Sequence, residues 1–196
     1  QAQIALAAPD AAIRDDALRQ ILISVERSAR LVRQLLALAR LEAAPAQKPP
    51  EEAVHVGQVL REIVHQAQTP AGLSVPLDPA LDDLALKVDR EALHLVLRNL
   101  HENALQHVPA DGTIRWRRVP QGVCVEDDGP GIPVDELPRV TERFFRGRNK
   151  SLSGSGLGLT IASLAAARMG ARLELVNRDD APGLRVSLLW QGRPAA

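Results

Sequence analysis

Two asparagines four residues apart, an acidic Gly-Pro-Gly turn and a glycine triplet before an apolar stretch constrain this chain more than anything else in it. They are Asn99-Leu100-His101-Glu102-Asn103, Asp127-Asp128-Gly129-Pro130-Gly131 and Gly154-Ser155-Gly156-Leu157-Gly158, with a basic segment, Arg143-Phe144-Phe145-Arg146-Gly147, between the last two. Each motif alone is weak, and the order together with the surrounding elements gives them weight. Asp89 is a good N-cap for a helix over 90–107, with Glu91 complementing its positive end. On that helix Leu93, Leu97, Leu100 and Ala104 share one face, and Asn99 and Asn103 are i,i+4 neighbours on the adjacent face. Strands follow at about 113–118 and 122–127, the second marked by the alternation of Val123 and Val125. A short helix over 134–142, a Gly- and Arg-rich loop and a helix over 158–169 come next. Strands near 171–177 and 184–190, joined through Asp179-Asp180-Ala181-Pro182-Gly183, close the chain. Upstream, residues 57–68 read as helix, and Leu73–Leu77 and Leu84–Val88 as short strands. Strands and helices segregate as in an α+β, two-layer sandwich, with one mixed sheet covered by helices on one face.

The residue types carry a chemistry. Stacked carboxamides at 99 and 103 offer neutral carbonyl oxygens. Those suit a Mg²⁺ ion already carrying phosphate oxygens, because this ion takes few protein ligands beside phosphate and water. An aspartate at a strand end only accepts hydrogen bonds, so it can read an exocyclic amine such as that of adenine, and Gly129 and Gly131 let the backbone turn and approach a base. Gly154, Gly156 and Gly158 expose N–H groups at a helix start, where a phosphate is favoured. No strand leads directly into this triplet, so it is not a dinucleotide fingerprint. The bland readings are asparagines on a solvated helix, a common Asp-Gly strand-ending turn and a flexible hinge.

Taken together the motifs resemble the catalytic, ATP-binding domain of sensor histidine kinases of two-component systems. That nucleotide fold, the Bergerat fold of the GHKL group, is shared with type II topoisomerases, mismatch-repair ATPases and large heat-shock chaperones. The resemblance is strong over 89–177 and looser over 1–42. It implies ATP and Mg²⁺ as ligands. It gives the Mg²⁺ contact to Asn103 with Asn99 supporting, and the adenine contact to Asp127 rather than Asp128, because the family pattern is Asp-x-Gly-x-Gly. Gly129, Gly131, Gly154, Gly156, Leu157 and Gly158 complete the nucleotide loops. Arg146 falls in the family's aromatic–Arg–Gly box as a phosphate contact on a mobile lid. Arg148 and Lys150 read as solvated, and Phe144 and Phe145 as anchors of the lid. The chain departs from the family twice. Gln106 stands where Lys or Arg usually reaches phosphate, so one charge-assisted contact is missing, and His107 stands in place of an aromatic ring, where it can still stack or hydrogen-bond. ATP binding weaker than usual for the family is the expectation.

Residues 13–42 read as one long helix. Leu18, Ile21, Val25, Ser28, Val32, Leu35 and Ala39 recur in alternating steps of three and four, widened by Leu22, Leu31, Leu36 and Leu38, which suits a helical bundle; a surface helix packed on its own domain is the alternative. Pro9-Asp10 marks a turn, and residues 1–8 read as the end of a preceding helix. The prolines of 43–52 make that stretch a linker. The resemblance therefore divides the chain into 1–42, part of a dimerisation and phosphoacceptor hairpin, and 53–193, the catalytic domain. Composition narrows the class further. Twenty-four basic residues balance 24 acidic ones, and two Phe, two Trp and no Tyr leave little to stack on bases, so no nucleic-acid partner is expected. Cys124 is the only cysteine and no intramolecular disulfide can form, which suits a reducing compartment. No run of about 18 apolar residues occurs.

The related ATPases carry Glu at the first position of the Asn motif. Asn99 there cannot act as a general base, which favours transfer of the γ-phosphate over hydrolysis. Glu102 reads as structural. The family's acceptor is a histidine in a motif of the type His-Glu-Leu-Arg-[Ser/Thr]-Pro-Leu, and the histidines here, at 55, 65, 94, 101 and 107, fit none. The resemblance thus implies a piece of a protein-histidine kinase, itself unable to autophosphorylate, with the acceptor upstream of Gln1. It further implies a homodimer through the hairpin, relay to a response-regulator receiver domain, and the cytoplasmic portion of a bacterial inner-membrane protein. The alternative is a module on the same fold that has lost nucleotide chemistry and serves dimerisation or partner binding. An ATP-hydrolysing chaperone- or topoisomerase-type domain is disfavoured by Asn99 and the short chain.

Overall fold

The computed structural model describes residues 11–43, 52–148 and 155–190. The expected turn at Pro9-Asp10, the segment 1–8, most of the linker, Lys150 and Gly154 lie outside them. The chain divides into two compact units, parted after Ala43.

The first unit contains helix α1, Ala11–Ala43, 33 residues without a Gly or Pro. The hydroxyls of Ser24 and Ser28 donate to the carbonyls one turn back, at Gln20 and Ser24, satisfying themselves within the helix by sharing ladder acceptors. Leu18, Leu22, Val25, Val32, Leu35 and Leu36 are exposed, Leu22 to 64%.

The second unit begins with β1, Val54–His55, and α2, Val56–Gln66, whose Val56, Val59, Leu60 and Ile63 form a buried stripe. A 3-10 turn at Pro79–Leu81 is capped by Asp78, whose carboxylate accepts from Ala80 N at 3.0 Å. Strand β2, Ala85–Leu86, pairs antiparallel with β1. Helix α3, Arg90–His107, starts where Asp89 accepts from Ala92 N at 2.7 Å and ends at Val108, before Pro109. After β3 (Ile114–Val119) and β4 (Gly122–Asp127) comes α4, Gly158–Arg168, followed by β5 (Ala171–Asn177) and β6 (Leu184–Trp190).

These last four strands form one antiparallel sheet in the order β3-β4-β6-β5. The register puts Trp116 beside Val125, Val125 beside Val186 and Val186 beside Leu175, so one face carries the apolar alternation. Trp116 of that face meets His101 of α3, with ring centroids 6.4 Å apart, and α4 packs on β5 and on α3. Helices therefore cover the inner face. Ala162, Ala165 and Ala166 of α4 are buried, and their small size lets α4 approach its neighbours closely. On the outer face Glu126 is buried between Arg185 at 2.6 Å and Arg117 at 3.4 Å.

Two expected elements differ. Leu73–Leu77 does not form a continuous strand. It meets the start of β3 only through isolated parallel bridges, Ser74 with Thr113 and Leu77 with Trp116, so the sheet is antiparallel rather than the mixed one expected. Pro76 has no N–H to give the ladder, and only its carbonyl takes part, accepting from Trp116 N. The helix expected over 134–142 is a single 3-10 turn, Leu137–Arg139, because Pro138 cannot donate the i→i−4 bond that an α-helix needs there.

Candidate nucleotide site

Three parts of the second unit converge. On α3, Asn99 is buried and its Nδ2 donates to Leu95 O at 2.8 Å. That bond fixes the carboxamide with Oδ1 towards the start of α4, where a Cβ built on Gly158 would lie 3.5 Å from it. Asn103, one turn on, is half-buried, as are Gln106 and His107. Glu102 pairs with Arg98 at 2.8 Å on the exposed side of the helix, in keeping with a structural role.

At the end of β4 Asp127 is buried at 4% exposure, and its Oδ1 accepts from Gly129 N at 2.9 Å and Leu184 N at 3.3 Å. Among the described residues no donor reaches its Oδ2. Desolvation raises its pKa above the ordinary 3.8, against the two N–H bonds, which lower it. Asp128 faces elsewhere: its Oδ1 pairs with Arg178 at 2.7 Å and Arg115 at 3.6 Å, and its Oδ2 accepts from Thr113 N at 3.0 Å. The two adjacent carboxylates thus have separate roles, and Asp127 has the oxygen to spare. The C-terminal end of α3 comes to this turn. A Cβ on Gly129 would sit 3.1 Å from His107 O and 2.7 Å from Asp127 Oδ1, so only glycine keeps the approach open. Gly131 follows, and the next residue is clamped by Asn177, which accepts from Ile132 N at 2.8 Å and donates to Ile132 O at 2.6 Å.

The third part is the start of α4. Gly156 has φ +72°, and its carbonyl accepts from Phe144 N at 3.0 Å. A side chain there would meet the backbone of Phe144 and Phe145 within 2.9 Å. Leu157 is fully buried, and Thr160 Oγ1 donates to Thr141 O at 2.9 Å, so the helix start is tied to the preceding basic segment. In that segment Arg146 is exposed. Arg148 is exposed, as expected, and its guanidinium also pairs with Glu136 at 2.9 Å and with Asp135. Phe145 is half-buried under the Arg139 guanidinium, 4.8 Å from its ring centre. Phe144, expected to be an anchor, is 60% exposed in a left-handed conformation, φ 61°. It holds Gly156 through its backbone rather than its ring.

Asn99 and His107 lie about 12 Å apart along α3 at the usual rise per residue. One end of that ridge meets the start of α4 and the other the Asp127 turn. An elongated ligand that is polar at one end and anionic at the other suits this layout. Asn177, Gly183, Arg178 and Glu136 also build the site, and sequence reasoning missed them. Gly183 carried a faint signal as the turn glycine between the last two strands.

A family model described as "Histidine kinase-, DNA gyrase B-, and HSP90-like ATPase" matches residues 88–193, over half of the chain and all three motifs. The chain belongs to this ATPase family. It is 31% identical over 189 residues to Sensor protein QseC of Salmonella typhimurium, covering 94% of this chain and 41% of that protein. It is 36% identical over 173 residues to the Phosphate regulon sensor protein PhoR of Pseudomonas aeruginosa, covering 81% of this chain and 38% of that one. It therefore spans about two fifths of the length of the curated relatives it matches. Among solved structures, the Mycobacterial sensor histidine kinase MprB superposes with a TM-score of 0.61 at 27% identity, over 74% of this chain and all of that one. The family model marks 88–193 as the ATPase domain, and the relatives that share it are sensor kinases. Among the described residues no helix is long and apolar enough to cross a membrane.

Proposed function

We propose that residues 53–193 bind Mg²⁺·ATP between α3, the Asp127 turn and the start of α4. In a two-component sensor kinase this domain would transfer the γ-phosphoryl group to a histidine of the dimerisation hairpin. The observation that carries this is Asp127, a buried carboxylate at a strand end with one oxygen fixed by two backbone N–H groups and the other reached by no donor among the described residues. Such an oxygen accepts from the exocyclic amine of adenine. His107 and Gly129 flank it, and Gly131 completes the turn. Among the described residues no group of three or more His, Cys, Asp or Glu could hold a metal. The donor set instead fits an ion that arrives with phosphate: Asn103 would hold it with Asn99 in support, and it would neutralise charge on the triphosphate. Gly156 and Gly158 lie at the positive end of α4, where N–H groups favour phosphate, and Arg146 adds a cation; the resemblance adds Gly154 and Leu157 to this loop, the Leu157 N–H itself donating to Ser155 Oγ at 3.2 Å. Asn99 supplies no general base, so this chain orients the phosphate for transfer to an imidazole nitrogen rather than activating water.

The acceptor histidine lies outside these 196 residues in this reading. Residues 1–42 are part of the hairpin and 43–52 the linker. The exposed apolar stripe of α1 is the seam of a homodimer in the longer protein, a response-regulator receiver domain takes the phosphoryl group onward, and the domain belongs to the cytoplasmic side of a membrane sensor. Gln106, a neutral residue where a phosphate-reaching cation is usual, favours a second reading, a partner-binding module without nucleotide chemistry. Thermal unfolding with Mg²⁺ and a non-hydrolysable ATP analogue separates the two. The proposal predicts a saturable rise in Tm, as for any ligand that binds only the folded state, and no stable label from γ-labelled ATP on this chain. An unchanged Tm favours the second reading, and stable label would place the acceptor within the chain.

A further inference from the structure

The segment that carries Arg146 is held at both ends. At one end Phe144 N donates to Gly156 O at 3.0 Å. At the other, Arg148 N donates to Glu136 Oε1 at 3.1 Å, and Arg148 Nε donates to the same oxygen at 2.9 Å. Glu136 is an acid buried at 8% exposure, while the Arg148 side chain it grips is 69% exposed. The buried member is thus the fixed one. It closes on backbone as well as on side chain, a geometry that a mere surface ion pair does not give. Gly147 makes the grip possible: a Cβ there would lie 2.1 Å from Glu136 Oε2. This is a local reason for glycine at that place in the aromatic–Arg–Gly box. Asp135 adds a second carboxylate to the Arg148 guanidinium.

We propose that Glu136 is a positioning residue for the phosphate end of the nucleotide. By holding Gly147 and Arg148 it fixes the exit of the 144–148 segment, so that Arg146, between the two backbone anchors, is presented in one place rather than ordered on binding. This rests on the Mg²⁺·ATP reading above. Glu136 touches no nucleotide in this account, and its effect is confined to the γ-phosphate. Asp127 and the adenine end lie on other elements and are untouched by it.

The test is calorimetric titration of the whole chain, with Mg²⁺, by the non-hydrolysable ATP analogue AMP-PNP and separately by ADP. The proteins are the wild type, Glu136→Gln, Gly147→Ala and Arg148→Ala. The first variant is near-isosteric, the second pushes the carboxylate off its seat, and the third changes only an exposed side chain. All three should weaken AMP-PNP by roughly tenfold while leaving ADP nearly unchanged, so that the ratio of the two affinities falls. Trypsin should also cut after Arg146, a site kept in all three variants, faster than in the wild type, with or without nucleotide. Equal losses for both nucleotides, or no loss in Arg148→Ala, would overturn the positioning role while leaving ATP binding intact. A wild type that binds neither nucleotide would overturn both.

Discussion

A fully buried imidazole sits at position 101. On α3 its Nδ1 accepts from Trp116 Nε1 at 3.5 Å, and among the described residues its Nε2 has no hydrogen-bond partner. Desolvation holds its pKa below the ordinary 6.5, and the Glu102 carboxylate only partly opposes this. The neutral form is therefore favoured in the fold, whereas the unfolded chain takes up a proton near 6.5. The stability that goes with the neutral ring is fully present above that pH and is lost as pH falls towards the folded value. His94, also lowered chiefly by desolvation, adds in the same direction. Urea unfolding between pH 7.5 and 5 should show stability falling, and His101→Leu should reduce the slope; an unchanged slope would clear His101. Legibility at this scale followed distance along the chain. The i,i+4 asparagines and the Asp127 turn were visible because their logic is local. Asn177 and Glu136 were not: Asn177 acts on Ile132, 45 positions away, and Glu136 on Arg148, 12 away, through a fold that must exist first.

Among the elements, α3 and the strands β4, β5 and β6 were legible to the residue, because capping and period-two alternation are written in adjacent positions. The two misses, 73–77 and 134–142, both contain a proline whose missing N–H outweighs apolar pattern. The β5–β6 connection carries a prediction of its own. Gly183 has φ +136°, and a Cβ there would lie 1.9 Å from Asp127 O. The turn thus presses on the residue that the site depends on, while Leu184 N, next in the chain, donates to Asp127 Oδ1 at 3.3 Å. Gly183→Ala should cost roughly 1–3 kcal/mol in denaturant unfolding, from backbone strain and the clash with a β4 carbonyl. A loss within a few tenths of a kcal/mol would mean that the hairpin gives way freely and does not hold Asp127.

For the molecule as a whole, the fold serves to bring three short motifs together that are far apart in sequence. Helix α3 is the ridge on which they meet: Gly158 beside Asn99, and Gly129 beside His107. The fold class was legible because the strands and helices segregate along the sequence as an α+β sandwich requires. The apolar stripe of α1 was legible too, and its exposure leaves Leu22 and Val25 in need of a partner surface. As proposed, these parts make one Mg²⁺·ATP site with Asp127 as its adenine reader. Calorimetric titration of AMP-PNP with Mg²⁺ into the wild type and Asp127→Asn tests it most directly. The carboxamide keeps the shape and removes the charge, and it can turn a donor towards the base. The wild type should show one saturable site, and the variant an affinity at least roughly tenfold lower. Equal affinity in the two proteins, or no saturable binding in the wild type, would contradict it.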